Sequence, residues 1–140
     1  MATRHMTPIE LFGALAEEYE NITAEGVSRI VHDDCVIHEA KGLPEIGRDW
    51  VGPQGFVDLM AAVQAAFRGF KFSLVHLVED ANTLIIRGNL SFDLPAGSFS
   101  IPIVEYWEFK DGKAVDILPV WHDTKLVAEM YAKSYPDGRV

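Results

Sequence analysis

The sequence predicts an α+β domain, with helices gathered on one face of a curved antiparallel sheet around an apolar pocket. Apolar residues recur at helical spacing through the first half of the chain, interrupted by one short strand-like run. From Phe70 onward the apolar period falls to two and holds as far as Trp121. Those later strands are dense in aromatic side chains: Phe70, Phe72, Phe92, Phe99, Tyr106, Trp107, Phe109 and Trp121. Helices first and strands later is the order of an α+β domain rather than of alternating βαβ units.

Thr7-Pro8-Ile9-Glu10 opens the first helix, with Thr7 as cap, Pro8 at the first helical position and Glu10 completing a capping box. Phe12, Leu15, Tyr19 and Ile22 form its apolar face. A second short helix starts at Thr23, with Val27, Ile30 and Val31 inward, and ends by His32 to Asp34. "CVIHEA", from Cys35, is the first strand, stopped by Gly42 and Pro44. Gly52-Pro53 opens a third helix, on which Phe56, Leu59, Met60, Val63 and Phe67 share a face closed by Gly69. "FKFSLVHLVED" and "TLIIRGNLSFDL" pair across Asp80 to Asn82, and Asp111-Gly112 turns the next hairpin. A last helix runs from about Thr124 to Lys133.

The domain spans residues 7–134. Residues 1–6 read as a flexible arm of partly vector-like character, and 135–140 as a tail. At 140 residues the chain has room for a single core. A net charge of −9 argues against nucleic acid and anionic membranes as partners, because both need a basic face. The one cysteine, Cys35, excludes an internal disulfide and reads as a buried, inert thiol. No secretion signal is recognisable, which makes the cytoplasm the expected location. The five histidines lack metal-ligand spacing, so a metal site is not expected.

"VIHEAKGLPEIG", "EYWEFKDGKAVD" and "PVWHDTKLVAEM" together resemble the SnoaL-like and ketosteroid-isomerase-like branch of the NTF2-like superfamily. The resemblance runs from about Ile9 to Tyr131. It implies a cone-shaped half-barrel with a deep pocket for a hydrophobic small molecule, a homodimer formed through the outer sheet face, and no metal or organic cofactor. Its activities range from isomerases and polyketide cyclases to epoxide hydrolases and proteins without chemistry, so it is informative about fold and weak about activity.

Three carboxylates stand out. Strand alternation groups Glu39 with Cys35 and Ile37 on the core face, opposite His38. In the isomerases an acidic residue that ends this strand is the general base, and Glu39 falls on that position. A rim carboxylate is the alternative. Glu105 interrupts the otherwise apolar face of Ile103, Trp107 and Phe109, where the isomerases place a protonated aspartic acid that donates to an oxyanion. If the opposite face were the buried one, Glu105 would be solvated. Asp123 matches the cyclases' general acid/base, and equally precedes a helix as an N-cap. Around them Tyr19, Phe56, Met60, Trp107, Ile117 and Trp121 are the expected substrate-binding residues, while His38 and His122 turn to the other face.

The expected function is therefore cofactor-free proton transfer on a hydrophobic, polyketide- or steroid-like carbonyl compound. Glu39 would be the base, Glu105 the neutral donor and Asp123 a proton shuttle. A non-catalytic binding module is the first alternative. Limonene-epoxide-hydrolase-like water addition is the second, with Arg87 and Asn89 standing near that family's Arg-x-Asp. The position of the isomerases' tyrosine on the first helix falls near Leu15, and Tyr19, one turn further on, could substitute only if the helix register shifts.

Overall fold

The computed structural model describes residues 6–17 and 22–138. Helix α1 (Pro8–Glu17) begins with the capping box read from the sequence. The Glu10 amide donates to the Thr7 hydroxyl, and the Thr7 amide donates to the Glu10 carboxylate, both at 3.2 Å. Pro8, Leu11 and Leu15 are its buried residues, with Phe12 partly covered. Tyr19 lies outside the described residues.

The second helix is shorter than the sequence suggests. α2 (Ala24–Val27) is a single turn capped by the Thr23 hydroxyl, and strand β1 (Val31–His38) begins where a continuing helix was expected. Pairing with the last strand decides this. Val31 stands in register with Ala114, whose amide donates to the Ile30 carbonyl at 2.7 Å. Inter-strand bonding outweighs a weak local helical pattern, as short helices gain little from propensity alone.

A strand that periodicity did not reveal follows. Strand β2 (Asp49–Val51) is too short to show alternation, yet it lies antiparallel to β1 through Ile37 and Trp50. Helix α3 (Gly52–Ala66) then packs its buried Phe56, Leu59 and Val63 across the sheet. Strands β3 (Lys71–Asp80), β4 (Thr83–Leu94), β5 (Gly97–Lys110) and β6 (Lys113–Trp121) form the antiparallel meander anticipated from the sequence. The β5–β6 turn places Asp111 at φ 52° and Gly112 at φ 79°, the two left-handed residues of a primed hairpin turn. Helix α4 (Thr124–Ser134) closes the fold.

The six strands make one curved, unclosed sheet in the order β2-β1-β6-β5-β4-β3. Its contacts are antiparallel, as expected, except for the parallel one between β1 and β6. α1 packs on β3 and β4, α3 on β1 and β2, and α4 on β4. The concave face carries the core, including Leu84, Ile86, Leu90, Ile103, Trp107 and Ile117. The convex face leaves Ile85, Val104, Tyr106, Leu118 and Val120 exposed. His38 lies among polar groups away from the core. Its Nε2 donates to Asp116 Oδ1 at 2.7 Å, and that bond with the Asp116 charge raises the imidazole above its ordinary value. His76 and His122 are exposed.

Close approach of β3 to β4 depends on Gly88. A Cβ there would stand 2.5 Å from the Phe72 ring and 2.8 Å from the Ser73 carbonyl oxygen. The ring can swing aside, but the backbone oxygen cannot move without displacing the ladder. Gly88→Ala should therefore cost about 1–3 kcal/mol in urea unfolding, in the range for overpacking. An unchanged midpoint would refute this account of the β3–β4 contact.

Candidate functional site

Strand register builds the site. Ile37 of β1 pairs with Ile117 of β6, and Ile117 pairs with Trp107 of β5. Continuing the parallel register by two residues brings Glu39, just past the end of β1, level with Pro119. Pro119 in turn pairs with Glu105. Paired residues share a face, so Glu39, Pro119 and Glu105 form one row across the concave surface. Two strand spacings of about 4.8 Å separate the backbones of the two glutamates. The β1–β6 ladder reaches no further than Ile37 and Ile117, short of Pro119, which has no N–H with which to extend it.

The row opens into a cavity of about 290 Å³. α1 contributes Phe12, Leu15 and Ala16, and α3 contributes Phe56, Leu59, Met60 and Val63. Phe70 and Phe72 stand at the start of β3, and Leu90 comes from β4. Ile103 and Trp107 flank Glu105, while Ile117 and Trp121 flank Pro119. The five predicted substrate-binding residues that the structure describes, Phe56, Met60, Trp107, Ile117 and Trp121, thus all line this cavity.

Each carboxyl receives one indole donor. Trp121 Nε1–H donates to Glu39 Oε1 at 3.2 Å, and Trp107 Nε1–H donates to Glu105 Oε1 at 3.0 Å. Among the described residues neither glutamate has a Lys, Arg or His partner. Glu39 is only 5% exposed. Burial, reinforced by the neighbouring Glu105 charge and opposed by the Trp121 bond, pushes its carboxyl up to about 8. Burial raises Glu105 as well, against the stabilising bond from Trp107. A desolvated carboxyl favours its neutral form, and two neighbouring ones cannot both ionise cheaply.

Asp123 does not join them. Its Oδ1 accepts the Leu126 amide at 2.9 Å as the N-cap of α4, and it is absent from the cavity lining. β6 ends at Trp121, so the alternation that suggested a pocket position no longer applies two residues later. Arg87 and Asn89 are likewise misplaced for water addition at this cavity. They alternate with the buried Ile86, Gly88 and Leu90 and pair with Val104 and Pro102 on the convex face. Pro119 lines the cavity beside Ile117 and Trp121, as alternation along β6 implies, and a proline inside a strand marks where a ladder must stop.

A family model described as a SnoaL-like domain matches residues 12–117. The chain belongs to the SnoaL-like family. Solved structures agree on the fold. TerC, co-crystallised with polyporic acid, is 21% identical with a TM-score of 0.74, covering 88% of this chain and 96% of that one. An NTF2-like protein of Burkholderia thailandensis is 20% identical with a TM-score of 0.77, covering 89% and 97%. A SnoaL-like polyketide cyclase of Agrobacterium tumefaciens is 17% identical with a TM-score of 0.67, covering 89% and 96%. No curated protein matches the sequence. This SnoaL-like domain thus has the NTF2-like α+β cone, and among its described residues no helix is long and apolar enough to cross a membrane.

The raised Glu39 carboxyl has a stability cost with a definite sign. The folded state holds its proton up to about 8, whereas the unfolded chain releases it near 4.5. Folded protein therefore binds more protons across that window, and its stability falls as pH rises through it, by at most about 1.4 kcal/mol per pH unit. Glu39→Gln removes this dependence. The variant's melting temperature should match the wild type at the acid end and exceed it increasingly toward pH 8. A constant difference across the window would contradict the placement of the carboxyl.

Proposed function

We propose that the domain catalyses proton transfer on a hydrophobic carbonyl compound, with Glu39 as general base and Glu105 as neutral hydrogen-bond donor. The observation that carries this reading is the pair of desolvated carboxyls in one apolar cavity, each oriented by an indole N–H. Glu39, with its carboxyl at about 8, is a far stronger base than a solvated glutamate. It would take a proton α to the carbonyl. Glu105, protonated, would donate to the oxygen as enolate charge develops, in surroundings where such a bond strengthens. The proton returns from Glu39 to a different carbon in an isomerisation, or to the same carbon in simple exchange. The SnoaL-like family and its polyketide-cyclase neighbour are consistent with a cyclic, polyketide-like substrate. Asp123, as a helix cap, has no step in this scheme.

Deuterium incorporation into cyclic ketones in heavy water tests the chemistry. Exchange should rise with pH and level off above about 8, as Glu39 ionises. Glu39→Gln should lower it by at least about 100-fold, the lower range for a lost general base. Glu105→Gln keeps an N–H donor and should retain more activity than Glu39→Gln. If the two variants rank in the opposite order, the roles are reversed. Tight ketone binding without exchange at any pH would leave a binding module in place of an enzyme.

We infer further that the domain pairs with a second copy through the convex face. Ile85, Tyr106 and Leu118 fall in one register row, and Val104 and Val120 in the next, so these exposed apolar residues form one continuous patch. Leu118→Asp should convert a dimer to a monomer in sedimentation analysis. A monomeric wild type would sink this part.

A further inference from the structure

The convex face carries charge as well as apolar surface, and register orders the two along the strands. Asp80, Thr83, Glu108 and Asp116 form one row, Val78, Ile85, Tyr106 and Leu118 the next, and His76, Arg87, Val104 and Val120 the third. The first row is acidic, the second hydrophobic, and the third sets two bases beside two valines. Successive rows stand about 6.8 Å apart, and neighbouring strands about 4.8 Å. The large hydrophobic residues of the second and third rows are each more than a third exposed. The charges are unmatched within one copy. Among the described residues exposed Arg87 makes no ion pair, and neither Asp80 nor Glu108 has a Lys, Arg or His partner. Glu108 accepts hydroxyls from Thr83 and Tyr106, whereas Asp116 already holds His38 Nε2 at 2.7 Å.

Two aligned stackings bring this face against itself. A two-fold axis along the strands leaves the strands of both sheets parallel and sets each row on itself, so the acidic rows meet. A two-fold axis across the strands, at the level of the second row, makes them antiparallel and sets the first row on the third. Ile85, Tyr106 and Leu118 then face their own counterparts. Arg87 of the second copy stands over Thr83, one strand spacing from both Asp80 and Glu108, and His76 of the second copy stands over Asp80. Sheet twist blurs such a match away from the centre, and Arg87 lies only one row from it. Crossing the sheets to bring Arg87 to Asp116 would instead meet a carboxylate that His38 occupies, and would leave Asp80 and Glu108 unmatched.

We propose that two copies pair about a two-fold axis crossing the strands at Ile85, Tyr106 and Leu118, with Arg87 of each copy set between Asp80 and Glu108 of the other. This rests on the convex-face pairing inferred above and adds its orientation and the charges that select it. Each charge contact occurs twice by symmetry, and like charges set in its place are strongly disfavoured. The hydrophobic row supplies the centre of the interface, and the acids and bases lie on either side of it, where they fix register.

Sedimentation equilibrium on the full chain, with charge reversals, tests the orientation. Arg87→Glu should weaken the dimer by at least about 100-fold, because both symmetric contacts become repulsive. The double variant Asp80→Lys/Glu108→Lys should weaken it comparably. An equimolar mixture of the two variants should associate about as tightly as the wild type, since both contacts of the mixed pair regain opposite charges. Asp80→Lys alone, at an exposed position, takes the double variant's place if that one does not fold. An Arg87→Glu dimer as tight as the wild type, or a mixture no tighter than either variant alone, overturns the orientation. Convex-face pairing would survive that result if Leu118→Asp is still monomeric. A monomeric wild type removes the pairing itself, and the orientation with it.

Discussion

The register that joins β1, β6 and β5 is the constraint on which the rest of the molecule depends. It carries Ile37, Ile117 and Trp107 across the concave face in one row and Glu39, Pro119 and Glu105 in the next. A one-residue slip of β6 against β5 would turn Ile117 and Trp121 outward and bring Leu118 and Val120 into the core. The cavity would then lose its floor, and Glu39 its indole donor. Bulges at Glu108/Phe109 and at Val31/Val36 absorb the mismatch where twisted strands of unequal length must meet.

What this register creates is unfavourable locally. Two carboxyls in an apolar cavity cost solvation that a hydrophobic pair in the same places would not. The surrounding packing compensates. Trp121 contacts Phe67, Phe70 and Phe92, and Trp107 meets Phe12 edge-on with centroids 5.8 Å apart. The indoles that orient the acids are thereby held by rings behind them. A buried acid retained at a cost to stability is the usual mark of a functional position.

Much of this was legible in the chain. The capping box at Thr7, the alternation through β4, β5 and β6, and the Asp111-Gly112 turn each follow from local chemistry. Glu39 and Glu105 were legible for the same reason, because each breaks an apolar face that its own strand defines. β2 was not, since three residues carry no period, and its position rests on hydrogen bonds to β1. Asp123 misled because alternation was carried past the end of β6 into a helix cap.

Sequence alone was enough to say which residues face inward along each strand, because side-chain direction on a pleated backbone depends only on neighbours in the chain. It was enough, too, to name the family's fold. It could not say that β1 runs parallel to β6, that Glu39 and Glu105 share a row, or that among the described residues neither of them has a cationic partner. Those facts arise between segments far apart in the chain, where inter-strand hydrogen bonds and the exclusion of water act, and no local pattern encodes them.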